Sequence, residues 1–165
     1  MRKASHWFVV LSLVLVGSLS ACGVLFNPPP DPSKAGSLKS FSYDYGSFNG
    51  GYWAFQIQLG QNPEDPMGDL IYIFSARGSN GVELDVNKPV PGTVLDDIEQ
   101  IMADHNIYSW DGFNKSDKAI LDGYSFGLVA EFDNSTVVAS GYMKYPKNYH
   151  EGHQALATYL NALAE

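Results

Sequence analysis

Short segments in which apolar and polar residues alternate constrain this chain more than any other feature of its sequence. In YWAFQIQL, residues 52–59, the odd-numbered positions are large and apolar, whereas the positions between them are small or polar. A period of two is typical of a strand with one face in the core. Asn-Gly-Gly at residues 49–51 precedes this strand and tolerates the positive φ angles of a tight turn. The alternation and the turn together predict a β-hairpin that begins near Phe41.

Further alternating runs follow, and two longer segments repeat their apolar residues with helical spacing instead. Residues 89–92, PVPG, are predicted to end the first set of strands. Thr93 then has the side chain of a helix N-cap, and Asp96 and Asp97 suit the first turn, where the helix dipole favours acids. The predicted strands are residues 41–45, 52–59, 69–76, 82–86, 126–132 and 137–143, and the predicted helices are residues 93–106 and 149–164.

This order of elements, β-β-β-β-α-β-β-α, consists of hairpins and has no repeating βαβ unit. It predicts an α+β fold, with a mainly antiparallel sheet of about six strands and both helices packed on one face. Residues 41–165 have the length of one domain and contain neither an internal repeat nor a second linker. The chain has a single cysteine and is 45% hydrophobic, so the hydrophobic core must stabilise the domain without disulfides.

The first residues have the anatomy of a secretory signal peptide. Arg2 and Lys3 form a short basic region, and residues 7–16 are apolar apart from Ser12. This apolar run is too short to span a membrane, which takes ~20 residues. Small residues then lead to Cys22. A lone cysteine in a secreted protein is a free thiol, half of an intermolecular disulfide or a modified residue, and its position at the end of the signal favours modification.

Leu-Ser-Ala-Cys-Gly at residues 19–23 resembles the lipobox of bacterial lipoproteins. The resemblance implies that residues 1–21 are a signal peptide, cleaved before Cys22, and that a diacylglyceryl group on its sulfur anchors the mature protein to the membrane. Residues 22–40 contain four prolines between positions 28 and 32 and are predicted to be an extended tether. The expected location is the extracytoplasmic face of the cell membrane, or the outer membrane in a Gram-negative cell, because glycine rather than aspartate follows the cysteine.

The acidity of the chain excludes nucleic acid as a partner. The formal net charge is −8, and removal of Arg2 and Lys3 with the signal leaves −10. Such a chain is repelled by nucleic acid and by anionic lipid head groups. No basic patch interleaves with aromatic residues to offset this repulsion.

Residues 123–127, GYSFG, match the G-x-S-x-G pattern that presents a nucleophilic serine in α/β-hydrolases. Asp133 and then His150 and His153 follow in the order of that catalytic triad. The pattern requires a strand before the serine and a helix after it, yet the residues after Ser125 alternate as in a strand. Ser125 is therefore predicted not to be a nucleophile, and no coherent set of catalytic residues replaces it.

Two other segments carry ligand-type residues in incomplete patterns. His150 and His153 share one face of the final helix, yet two imidazoles alone do not complete a zinc site. Residues 111–117 carry several oxygen ligands, but the position of their glycine and the missing glutamate do not fit a calcium loop. We expect neither a metal nor a cofactor.

The loop after the first predicted helix is rich in aromatic residues, with Tyr108, Trp110 and Phe113 close together. Large aromatics supply much of the buried area of a small domain, so Trp110 and Phe113 are predicted to pack under the loop. The alternative is that all three residues are exposed and form an interaction surface for a partner.

Three short motifs resemble a group of uncharacterised bacterial lipoproteins and small secreted proteins. They are W-x-G-F at residues 110–113, D-G-x-S-F at residues 122–126 and G-Y-x-x-x-P at residues 141–146. The resemblance implies that Gly123, Ser125 and Phe126 serve the architecture of the fold, and it brings no known chemistry. The sequence thus predicts a membrane-anchored, non-enzymatic module that binds a protein partner at the cell envelope. The alternative is a binder of small ligands or glycans, or a hydrolase that acts on envelope polymers.

Overall fold

The computed structural model describes residues 29–47, 49–60, 69–81 and 83–165. Cys22, the predicted signal peptide and the first part of the predicted tether lie outside these residues. The helices are α1 (Pro32–Ala35), α2 (Thr93–Asp104) and α3 (Tyr149–Ala164), and a short 3₁₀ turn spans Ile107–Trp110. The strands are β1 (Leu38–Ser47), β2 (Gly51–Leu59), β3 (Leu70–Arg77), β4 (Glu83–Val90), β5 (Asn114–Ser116), β6 (Ser125–Phe132) and β7 (Thr136–Tyr142).

Within the described residues, seven strands form one sheet in the spatial order β4-β3-β2-β1-β6-β7-β5. All neighbouring strands are antiparallel except β5, which pairs with β7 in parallel. The α+β class predicted from the sequence is confirmed. The sheet is mixed rather than purely antiparallel, and β5 and α1 are additions to the predicted elements.

One face of the sheet forms the hydrophobic core. The register places Tyr43 of β1 between Phe55 of β2 and Leu128 of β6, and all three side chains are buried. Burial of a large apolar side chain contributes roughly 1.5–3 kcal/mol relative to its exposure. The alternating residues of β2 and β6 therefore lie on the core face, as their spacing predicts.

The two long helices cover this face. Ile98 of α2 and Leu156 and Leu160 of α3 are completely buried against it. The Tyr72 hydroxyl on β3 donates a 2.8 Å hydrogen bond to the Leu160 carbonyl, which satisfies a buried phenol. α3 has the bounds that the sequence predicts.

The opposite face of the sheet is small and polar at its centre and is not covered by the described helices. Ser42 and Asp44 on β1 and Gly127 on β6 point to this side, because they alternate with the buried positions. Small and polar side chains at the centre of a face offer little for a helix to pack against. We call it the open face.

The packed part of the chain begins before residue 41. Asp31 caps α1 by accepting a 3.1 Å hydrogen bond from the Ser33 amide, and Ala35 is 1% exposed. The turn between β6 and β7 holds this segment, since the amide of Asn134 donates to the Ala35 carbonyl. This end of the predicted tether therefore packs against the domain, beside the start of β1.

Two predicted boundaries after β3 are wrong. β4 continues through Pro89 to Val90, because it is an edge strand where the missing N–H of proline can point away from the sheet. Thr93 is the first residue of α2 rather than its cap. Gly92 occupies the cap position, where no side chain is available to accept a hydrogen bond.

Candidate functional site

The loops at one end of the sheet enclose a cleft of about 530 Å³ on the open face. β1 ends there at Ser47, β3 ends at Arg77, and β6 begins at Ser125. The turn at residues 78–81 and the loop at residues 117–124 form its rim. We call it the hairpin-end cleft, because it lies beside the turn between β1 and β2. Its principal lining residues are Gly46, Tyr52, Arg77, Asp122 and Ser125.

The floor of the hairpin-end cleft is low because its residues are small. Gly46 and Ser125 are partners across β1 and β6, and the Ser125 hydroxyl donates a 3.3 Å hydrogen bond to the Gly46 carbonyl. Gly46 has a φ of 145°, and a Cβ there would collide with the backbone of Gly51 and Tyr52. Glycine is therefore required at this point of the floor, where β1 lies tightly against the start of β2.

Tyr52 forms one wall of the cleft. Its side chain is 42% exposed and lies near the Asp44 carboxylate. Asp44 lies half-buried over Gly127, where a Cβ would come within 2.5 Å of its Oδ1 atom. Burial raises the pKa of Asp44, and the nearby Tyr52 hydroxyl opposes this shift. Tyr52 thus presents an exposed ring beside a half-buried carboxylate.

Arg77 supplies the positive charge of the cleft. It ends β3 directly opposite Tyr52 and is exposed. Glu83 is its partner on β4, yet Arg77 forms no ion pair with any residue that the structure describes. Its guanidinium group is therefore available to a ligand.

The loop at residues 117–124 is fastened to β7 and forms the other side of the cleft. The Tyr142 hydroxyl accepts a 2.7 Å hydrogen bond from the Gly123 amide and donates a 3.0 Å bond to the Ile120 carbonyl. Leu121, at the tip of the loop, is 91% exposed, and Asp122 lines the cleft beside it. The rim thus combines an exposed apolar side chain with a carboxylate.

The structure separates Ser125 from the residues that would make it a nucleophile. Ser125 lies on the open face, whereas His153 contacts Tyr43 on the core face. Asp133 follows the far end of β6, about 25 Å away at the rise of an extended strand, and pairs with Lys39. A triad needs all three groups within hydrogen-bond reach, so these residues cannot form one.

His153 belongs to an aromatic cluster beneath α3. Its Nδ1 atom is 2.7 Å from the Tyr43 hydroxyl, its ring stacks on Tyr149, and its edge meets the face of Tyr45. Burial lowers the pKa of His153, and the neighbouring His150 lowers it further. An imidazole that is hydrogen-bonded to a buried phenol and stacked on a second one has a structural role here.

Two carboxylates of the predicted metal patterns have protein partners in the structure. In the 111–117 loop, Asp111 accepts a 2.9 Å bond from the Val138 amide, and Asp117 pairs with Lys144. Throughout the described ranges, no group of three or more His, Cys, Asp or Glu side chains is placed to hold a metal ion.

The aromatic loop lies in the core and not on the surface. Tyr108 and Trp110 are 3% and 0% exposed, and the Trp110 indole donates a 3.2 Å bond to the Lys147 carbonyl. Burial raises the pKa of Tyr108 to about 12. Phe113 is partly buried beside Phe126. Trp110 and Phe113 thus pack under the loop, as predicted, and the alternative of an exposed surface does not fit the burial of Tyr108 and Trp110.

A second, shallower groove of about 670 Å³ runs between α2 and α3. Ile101 and Tyr159 line it, and the Tyr159 hydroxyl donates a 2.7 Å bond to Asp97 across the two helices. The groove has no cationic side chain comparable to Arg77. The hairpin-end cleft is thus the richer of the two in groups that can recognise a ligand.

No protein-family model matches this chain, and no curated protein matches it. Among the described residues, no helix is both long enough and apolar enough to cross a membrane.

Asp44, Tyr52 and Arg77 were not predicted to be site residues. The sequence carries one signal for Tyr52, which is an aromatic residue on the polar side of an alternating strand. It carries no comparable signal for Asp44 or Arg77. Only the pairing of β1, β2 and β3 brings these three residues together.

Proposed function

We propose that this protein is a non-enzymatic binding module, anchored through Cys22 at the extracytoplasmic side of a membrane, and that it binds its partner in the hairpin-end cleft. The observation that supports this most is the composition of the cleft. It combines an exposed aromatic ring, a guanidinium group without an ion pair among the described residues, and hydroxyl groups, and it lies on the opposite face of the sheet from His153. Such a mixture can bind a ligand, and none of the described residues that line the cleft beside Ser125 is a histidine.

The direction of the chain supports this arrangement. β1 runs from Leu38, next to the tether, to Ser47 at the cleft. Its length is about 30 Å at the rise of an extended strand. A tether that enters at Leu38 would therefore place the cleft at the end of the domain that faces away from the membrane.

Photo-crosslinking in cells tests the binding site. Benzoyl-phenylalanine is placed at Leu121, on the rim of the cleft, in the full-length protein. The matched control is Leu59, which is 55% exposed and lies at the far end of β2, about 23 Å from Tyr52 along the strand. We expect a specific crosslinked product from position 121 and none from position 59. Equal labelling from both positions, or none from either, would contradict the proposal.

Detergent partition tests the anchor. We expect the mature protein to enter the detergent phase and Cys22→Ser to leave it, because two acyl chains give stable membrane binding and none gives little. Retention of the Cys22→Ser protein in the detergent phase after signal cleavage would contradict lipid anchoring at this residue.

A further inference from the structure

We propose that the hairpin-end cleft binds a saccharide that carries a carboxylate group. This inference rests on the proposed function, since it names the class of ligand for the same site. It follows from the placement of Tyr52 and Arg77 on adjacent strands of the open face.

Tyr52 offers a platform for a sugar ring. Its side chain is 42% exposed and lines the cleft, so an aromatic surface is accessible to a ligand there. A pyranose presents a flat patch of C–H groups that packs on such a face while its hydroxyls stay polar.

Arg77 offers a site for a carboxylate beside that ring. The two residues are directly opposite in the register of β2 and β3, so their Cα atoms are about 5 Å apart. A guanidinium group binds a carboxylate through two parallel hydrogen bonds. The predicted mature chain is strongly acidic, so general attraction does not draw an anion to this surface. Binding of an anionic ligand therefore depends on the guanidinium group of Arg77 and the ring of Tyr52 together.

The rest of the cleft suits hydroxyl groups. Asp122 can accept hydrogen bonds from sugar hydroxyls, and Ser47 and Ser79 can both donate and accept. A volume of about 530 Å³ lies within the range of small-molecule sites, of roughly 300–1,000 Å³, and has room for one or two sugar rings.

Calorimetric titration of the full-length lipidated protein in detergent micelles tests the inference. The probes are cellobiouronic acid and cellobiose, which differ by one carboxylate. We expect cellobiouronic acid to bind about tenfold more tightly, as one charge-assisted hydrogen-bond pair predicts. Arg77→Gln should abolish this difference, and Tyr52→Ala should weaken both sugars. Lys147→Gln is the matched control. It also removes one positive charge, from an exposed residue just before α3, and should leave the affinity for both sugars unchanged.

The outcomes separate the ligand class from the function. The inference of an acidic saccharide is overturned if cellobiouronic acid and cellobiose bind with equal affinity. It is also overturned if inorganic phosphate binds as tightly as cellobiouronic acid. If neither sugar binds while the probe at Leu121 crosslinks to one protein, the ligand inference fails and the proposed binding module stands. If neither sugar binds and no crosslink forms, both are wrong.

Discussion

At the scale of single residues, Gly152 is explained by its neighbour in space. In the sequence, Gly152 lies between His150 and His153, the two residues of the incomplete zinc pattern. In α3 it faces the buried Trp110 ring. A Cβ at this position would lie 2.8 Å from the Trp110 Cζ2 atom. Within a helix, alanine is more favourable than glycine by about 1 kcal/mol. Overpacking of a core typically costs about 1–3 kcal/mol, so the steric cost outweighs this gain. We expect Gly152→Ala to lower the free energy of unfolding in urea.

The Trp110→Phe background provides the control for this contact. Phenylalanine lacks the outer ring atoms that a Cβ at residue 152 would meet, so Gly152→Ala should cost less there than in the wild type. An equal cost in both backgrounds would show that the tryptophan contact does not explain the glycine.

The protonation of His153 should also affect stability. Burial lowers the pKa of His153 below the ordinary 6.5, so the unfolded chain binds a proton in a range where the folded chain does not. Stability therefore falls as the pH decreases below 6.5 and levels off below the folded pKa. Tyr43, Tyr45, Tyr149 and His150 surround the ring, and the phenols keep their protons in this range.

Urea unfolding on either side of pH 6.5 measures this effect. His153→Gln should lower stability at neutral pH and reduce its dependence on pH. Titration of carboxylates is common to both proteins and cancels in the comparison. An identical slope in the variant would mean that His153 does not couple folding to protons.

At the scale of elements, α1 depends on the turn between β6 and β7. Asp133 accepts a 2.9 Å bond from the Ser37 amide and pairs with Lys39 at 3.0 Å. The Lys39 ammonium and the Ser37 amide hold the pKa of Asp133 below its ordinary value. We expect Asp133→Ala to accelerate hydrogen exchange at residues 34–39 while the amides of β2 keep their protection.

Lys39→Ala separates the two interactions of Asp133. It removes an exposed ion pair, which contributes little, and leaves the bond to the Ser37 amide in place. Exchange at residues 34–39 should then change less than in Asp133→Ala. Equal acceleration in both variants would assign the anchoring of α1 to the ion pair.

The elements that sequence reasoning found are those with a repeated pattern. β2, β6 and α3 each bury one face over several residues, so their periodicity is visible. β5 has three exposed residues and α1 has four residues with one buried, which are too few to establish a period. Their existence depends on partners distant in the chain, Gly141 for β5 and Asn134 for α1.

At the scale of the whole molecule, buried tyrosines make the fold sensitive to alkali. Burial raises the pKa of Tyr149 to about 12 and raises that of Tyr43 and Tyr72 further, from an ordinary value of 10. The folded chain keeps protons that the unfolded chain releases, so this stability is present below pH 10 and is lost as the pH rises towards 12. We expect cooperative unfolding in this range.

Parallel measurements of tyrosinate absorbance and circular dichroism check this prediction. Most of the rise in absorbance should coincide with the loss of secondary structure, because ionisation of the buried phenols requires unfolding. Tyr149→Phe should make the transition less steep. A rise in absorbance that is complete near pH 10 with an unchanged spectrum would contradict the prediction.

The sequence by itself determined the α+β class of the fold and the buried faces of its longer strands and helices. These properties depend on neighbours within a few positions, where hydrophobic periodicity acts. Tertiary structure alone decided that Tyr108 and Trp110 lie in the core and that Asp44, Tyr52 and Arg77 share one surface. The physical reason is that contact between strands is set by their pairing register, and residues 44, 52 and 77 meet only after β1, β2 and β3 have aligned.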